Sequence, residues 1–129
     1  MEPIHLFDLA SRQARWAAVR QATIAGNVAN ADTPGYQARD IVPFSAVLQK
    51  TALTLARTEP GHLDVGGASG IEANRTSKAD NWDITHSGNS VSLDQELLKA
   101  GEVSRAYTLN TNIVRSFHKM LLSSVRSGT

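Results

Sequence analysis

Two stretches of three-and-four hydrophobic spacing stand at opposite ends of this 129-residue chain and constrain its fold more than any other feature. Near the N-terminus, Phe7, Ala10, Ala14, Ala17, Gln21, Ile24, Val28 and Ala31 form an unbroken heptad seam with one polar member, Gln21. Apolar residues at that spacing line one stripe of an α-helix, whereas a strand alternates its faces every second residue. The alanines in the seam favour helix and let a partner helix approach closely. Leu6, Leu9 and Trp16 lie on a neighbouring stripe. The spacing predicts a helix from about Ile4 to Asn30, some 40 Å long at ~1.5 Å per residue.

The second stretch carries two adjacent seams. One is Val103, Ala106, Asn110, Ile113, Phe117 and Met120; the other is Leu93, Leu97, Ala100, Ser104, Tyr107, Thr111, Val114, His118, Leu121 and Val125. Ser92 is placed to cap this helix, with Gln95 at the capping-box position and Asp94 and Glu96 in the first turn, where the helix dipole favours negative charge. A helix of ~50 Å is expected up to Arg126, before Ser127-Gly128-Thr129.

Between the two, the chain changes character. Asp32-Thr33-Pro34-Gly35 stops the first helix, because Pro34 disfavours helix at Thr33 and brings no amide donor. Pro34-Gly35 suits the central pair of a type II turn. Phe44, Val47, Leu48 and Leu55 share one face after Pro43, so a short helix is expected near 44–56. After Arg57 the glycines Gly61, Gly66, Gly67, Gly70 and Gly88 make a loop-like run. The expected fold is mainly α. Residues 1–31 and 92–129 are long terminal helices pairing as an antiparallel coiled coil and forming one assembly domain. Residues 32–91 are a largely irregular connecting segment with the short helix and room for short β-strands.

Such a layout leaves apolar surface over. A hairpin of two helices needs one stripe on each, but the C-terminal helix has two and the N-terminal helix has a second, partial one. Contiguous exposed apolar surface marks a partner site. The expectation is that the terminal helices are frayed or unfolded in the free chain and fold on assembly.

Several function classes find no support. Thirteen Lys+Arg against twelve Asp+Glu give a net charge of +1, no footprint for nucleic acid. Cysteine is absent, so there is no disulfide framework or thiolate metal site. His5, His62, His86 and His118 are scattered without metal-ligand spacing. Asp80, Asp83, His86 and Ser87 sit in a polar loop that reads as solvated, and the glycine run lacks a phosphate-binding Lys-Ser/Thr. No catalytic residue, metal or cofactor is expected. No apolar run is long enough to span a bilayer, and the first residues lack the pattern of a cleaved signal peptide.

The string from Ala25 through Asn27, Asn30, Thr33-Pro34-Gly35-Tyr36 to Gln37-Ala38-Arg39-Asp40 resembles the N-terminal signature of the flagellar axial proteins, the rod and hook family. Its continuation looks most like the proximal-rod branch. Thr58, Pro60, His62 and Leu63 are similar to the family's central Thr-x-Pro-x-His-Leu segment. Gly88-Asn89-Ser90-Val91-Ser92-Leu93 is similar to the segment before its C-terminal helix, with Ser92 in place of the usual Asp. Tyr107 and Phe117 fall where that helix carries a Tyr and then a Phe. The resemblance covers nearly the full chain.

It implies a structural, torque-transmitting subunit of the periplasmic rod, exported by the flagellar type III apparatus without a cleaved signal. Its implied neighbours are other rod subunits, the ring–rod junction protein and the inner-membrane ring. The residues expected to carry assembly are Phe7, Ala14, Ile24, Asn27, Asn30, Pro34, Gly35, Tyr36, Val103, Tyr107, Ile113 and Phe117. A neighbouring rod subunit of the same family, a small helical secretion chaperone or binding module, and a small hydrolase are the alternatives. A chaperone would be a stably folded dimer, and a hydrolase would show activity.

Overall fold

The computed structural model describes residues 3–54, 73–75 and 80–126. Five elements follow in order: α1 (Pro3–Ala29), β1 (Arg39–Ile41), α2 (Phe44–Thr54), β2 (Ala73–Arg75) and α3 (Leu93–Arg126). The molecule is mainly helical, with long N- and C-terminal helices of 27 and 34 residues. The strands β1 and β2 pair antiparallel, with Asp40 opposite Asn74. The central motif at Thr58, Pro60, His62 and Leu63, the glycine run 66–70 and the C-terminal Ser127-Gly128-Thr129 lie outside the described residues.

α1 and α3 touch along most of α1. Phe7 meets Phe117 edge to face at 5.8 Å between ring centroids. Asn110 Nδ2 donates to the Ala10 carbonyl at 2.9 Å, Arg20 Nη1 reaches Glu102 Oε2 at 3.4 Å, and Asn27 Nδ2 donates to Glu96 Oε2 at 3.0 Å. Residue numbers fall along α3 as they rise along α1.

The buried apolar cluster is Trp16, Ala17, Ile24, Ile41 and Val103, with Val19, Phe44, Val47 and Ala100 packed against it. It therefore draws on α1, α3 and the connecting segment together. Trp16 was expected on a stripe left for a partner, but the chain covers it itself. Its Nε1–H donates to the Val42 carbonyl at 2.8 Å, Phe44 lies 6.0 Å from it, and the Arg20 guanidinium stands 5.4 Å over its face. A buried indole needs an acceptor for its N–H as well as apolar cover. The bend after β1 supplies both.

This second covering shifts the buried stripe of α1. Gln21 and Val28, both on the expected seam, are exposed, whereas Asn27 is fully buried. α1 packs against α3 on one side and against β1 and the start of α2 on another, so its buried face is centred between the two.

The end of α1 is closed by short i→i+3 bonds, Asn30 N to the Asn27 carbonyl and Ala31 N to the Val28 carbonyl. Residues Thr33 to Tyr36 then form the type II turn, closed by Tyr36 N to the Thr33 carbonyl at 3.2 Å, with Gly35 at φ 72°. The carbonyls of the turns that follow α1 are met by one distant side chain. Asn89 Nδ2 lies 2.9, 2.9 and 2.7 Å from the carbonyl oxygens of Asn30, Ala31 and Thr33. Around it, residues 87–90 are sewn to 35–38 by Gly35 N to the Ser87 carbonyl, Ser90 N to the Tyr36 carbonyl and Ala38 N to Ser90 Oγ.

Gly88 lies inside that seam at φ 81°. An added Cβ would meet only the Gly35 Cα, at an ordinary 3.7 Å, so the cost of Gly88→Ala is conformational, roughly 1–2 kcal/mol. Thermal unfolding should show it as a lowered midpoint with unchanged helix content.

Among the described residues, the far end of α3 has no comparable core. Met120, Leu122 and Val125 are exposed, and no described α1 residue lies beyond Pro3 to meet Leu122 and Val125. Amides of 118–126 should therefore exchange with solvent hydrogen much faster in the free chain than those of 96–110, as measured by hydrogen exchange. Fraying in the free chain is expected to be greatest at that end.

Candidate assembly surface

The surface left after the helices pair is concentrated on α3. From its second seam, Leu93, Leu97, Tyr107 and Val125 are exposed, Leu97 at 73% and Val125 at 72%. From its first, Ile113 and Met120 are also exposed, while Val103 and Asn110 are buried. The reason is geometric. α1 covers about one stripe of α3, the described part of the connecting segment reaches α3 near its start, at Gln95 and Lys99, and among the described residues the adjacent stripe is left facing outward along most of its length.

Beside this ridge runs a shallow groove of about 350 Å³ lined by Ala17, Ala18 and Gln21 of α1 and Ala100, Val103, Ser104 and Tyr107 of α3. Small side chains on both helices leave the trough open, with Tyr107 among the residues that line it. The lining is mostly apolar and carries no acid, base or strong nucleophile. Its shape suits the ridge of another helix.

Beneath the surface lies a polar hub. Asn27 is wholly enclosed. Its Nδ2 donates to the Arg39 carbonyl at 2.7 Å and to Glu96; its Oδ1 accepts from Arg39 N at 3.0 Å and from Tyr36 Oη at 3.4 Å. The side-chain amide thus exchanges two hydrogen bonds with the N–H and C=O of one residue of β1, as a neighbouring strand would. Glu96, 1% exposed, also holds Lys99 Nζ at 2.9 Å. Lys99 lies 3.6 Å from Asp40, and Asp40 takes a two-pronged contact from Arg20 Nε and Nη2, both at 3.2 Å. No charge in this chain of groups is left without an opposite partner, as burial requires.

The residues expected to carry assembly fall into two sets. Ile24, Asn27 and Val103 are interior, and Ala14, Asn30 and Tyr36 are half-buried. Asn30 Nδ2 donates to the Gly26 carbonyl. Phe7 and Phe117 meet each other. Pro34 and Gly35 lie exposed at the turn, while Tyr107 and Ile113 stand on the outer face of α3. Asn89, Glu96, Lys99, Arg20 and Asp40 were not among those expected. A positional signal existed for Glu96: it stands seven residues before Val103 in the series that continues to Asn110 and Phe117, and so occupies an inward heptad position.

Asp80, Asp83, His86 and Ser87 are exposed, and the Ser87 hydroxyl pairs with Thr85 rather than with His86. Among the described residues no group of three or more His, Asp or Glu side chains is placed to hold a metal ion, and no helix is long and apolar enough to cross a membrane.

Comparison with known proteins bears on this surface. The family described as flagella basal body rod protein matches residues 11–37, the run from the middle of α1 through the turn. Over 129 aligned residues, 98% of this chain and 96% of the relative, the chain is 47% identical to flagellar basal body rod protein FlgB of Agrobacterium fabrum. It is 31% identical to FlgB of Proteus mirabilis over 84% of this chain and 85% of that one. To FlgB of Salmonella typhimurium it is 29% identical over 86% of each.

Proposed function

The chain belongs to the flagellar basal body rod protein family, and from that premise we propose that it works by packing alone, as a proximal-rod subunit whose outer α3 face is covered by sister subunits. The observation that carries the reading is the ridge of Leu97, Tyr107 and Ile113, exposed on a helix already paired along its neighbouring seam. Residues 1–31 and 92–129 act as one assembly domain, an antiparallel coiled coil, with the segment 32–91 connecting its halves and bracing neighbouring copies. A ridge on one copy seated in the groove of the next is a heterologous contact, and repeated without closing into a ring it builds a helical tube. In this reading the tube lies in the periplasm and transmits torque. Its subunits arrive through the flagellar type III export apparatus and meet other rod subunits, the ring–rod junction protein and the inner-membrane ring.

Leu97→Asp and Ile113→Asp test it, because both side chains are exposed and their loss leaves the internal core intact. Each variant should keep the helix content of the free chain yet fail to appear in purified basal bodies, and cells carrying it should not swim. Normal swimming with both substitutions would remove the basis of the proposal.

A further inference from the structure

The groove between α1 and α3 continues as an open trough toward the connected end of the two helices. Ala25 and Val28 extend its α1 wall, and Leu97 and Leu93 extend its α3 wall, each at helical spacing from the residues before. All four are exposed. From Tyr107 to Leu93 the trough is ~21 Å long. Its connected end is acidic. Asp32 follows the α1 wall, Asp94 stands in the first turn of α3, and Asp80, whose carbonyl accepts from Gln95 Nε2 at 2.6 Å, lies beside that turn with Asp83. All four carboxylates are exposed. Of the cations near them, Lys99 is held by Glu96 and Asp40, and Arg39 is exposed on β1.

The other end of α3 is complementary in charge and in shape. After Glu102 the helix has no acidic side chain and carries Arg105, Arg115, Lys119 and Arg126. Arg115, His118, Leu122 and Val125 recur in steps of three and four, so they share one face, and all are exposed. Phe117 lies on another face and is taken by Phe7. This end therefore presents two large apolar side chains next to the cations Arg115 and Lys119. The trough presents alanines, with carboxylates at one end. A ridge of large side chains fills a channel walled by small ones.

We propose that the occupant of this trough is the end of α3 from a second copy of the chain, laid in it in the same direction, with Leu122 and Val125 between the two walls and Arg115 at the acidic end. Charge sets the direction. Reversed, Arg115 would lie at the Tyr107 end, close to Arg105 and Arg15, both exposed, and like charges brought together oppose docking. In the same direction, Arg115 comes level with Asp94 and Val125 with Ser104, a shift of roughly 21 residues or ~32 Å along the axis. The contact covers Leu97 and Tyr107. It is heterologous, since each copy still offers its own trough to the next. The proposal rests on the rod reading for the setting in which copies meet, and deepens it by naming the two faces that touch.

Cysteine is absent from the native chain, so disulfide trapping tests the contact directly. Gln21→Cys and Leu122→Cys are at exposed positions and roughly 30 Å apart within one chain, too far to join to each other. Basal bodies purified from cells in which the double variant replaces its parent, then mildly oxidised, should give linked dimers, trimers and larger species on a non-reducing gel. Either substitution alone should give none. Dimers without larger species would mean a closed two-fold pairing and overturn the proposal. A variant that enters basal bodies and is not cross-linked also overturns it, and leaves the rod reading standing. Absence of the unsubstituted chain from basal bodies removes the rod reading itself. If the double variant is not incorporated, Ala18→Cys with Val125→Cys decides in the same way. Adding Arg115→Asp to the double variant should lower the cross-linked yield severalfold, and Asp94→Arg placed with it should restore the yield. A yield unchanged by Arg115→Asp overturns the assigned direction.

Discussion

Trp16→Ala should lower the free energy of unfolding by roughly 3–5 kcal/mol, the range for removing a large aromatic side chain from a core. The indole is 7% exposed and joins three separate parts of the molecule. Removing it opens a cavity between α1, β1 and α2, leaves the Val42 carbonyl without its donor, and takes away the face on which Arg20 stacks. For a chain of this size the thermal midpoint should fall by more than about 10 °C. Trp16→Phe keeps most of the apolar volume and strands only the carbonyl, so about 1–3 kcal/mol is expected. A denaturant series on the two variants checks the order. Equal losses would show that the hydrogen bond, and not the packing, holds the connecting segment to α1.

Glu96→Ala should cost about 3 kcal/mol, the low end for breaking a buried charged pair. The low end applies because Lys99 keeps Asp40 at 3.6 Å and is not left isolated. The Asn27 amide, in contrast, loses one of its two acceptors inside the core. Glu96→Gln retains an oxygen for Asn27 and should cost only about 1 kcal/mol. Urea unfolding separates the two substitutions. If Gln were as damaging as Ala, the negative charge itself would be the requirement and the bond from Asn27 would matter little. The effect should extend to the turn, because the same amide holds Arg39 and Tyr36.

The two long helices were legible because their signal is local and repeated. α3 runs from Leu93 to Arg126 as its spacing and the Ser92 boundary suggest, and α1 stops just ahead of the Thr33-Pro34-Gly35 turn. That turn was legible for a different reason: Pro34 presets the first central conformation and the second needs a positive φ that Gly supplies without strain, and Gly35 takes it. The surplus apolar stripe on α3 followed from counting seams against available partners.

The side on which α1 is covered was less legible. Trp16 read as a ridge for another molecule because its own cover, Val42 and Phe44, lies across a turn and a strand whose direction no periodicity states. Asn27 and Val28 are adjacent in sequence and both compatible with a three-and-four pattern, so hydropathy favoured Val28 for the interior. The structure buries Asn27 instead.

The amino-acid sequence by itself determined where the helices lie, where the chain must turn, and that α3 has more apolar surface than α1 can cover. Only the tertiary structure decided which polar groups go inside. A heptad position states that a side chain faces a partner, but a polar one is stable there only when its bonds are met. For Asn27 those bonds come from Arg39 and Glu96 on two other elements, and for the turns that follow α1 they come from Asn89. Local spacing carries apolar burial, which is nearly additive and indifferent to direction; hydrogen bonding is directional and depends on atoms brought together from far along the chain.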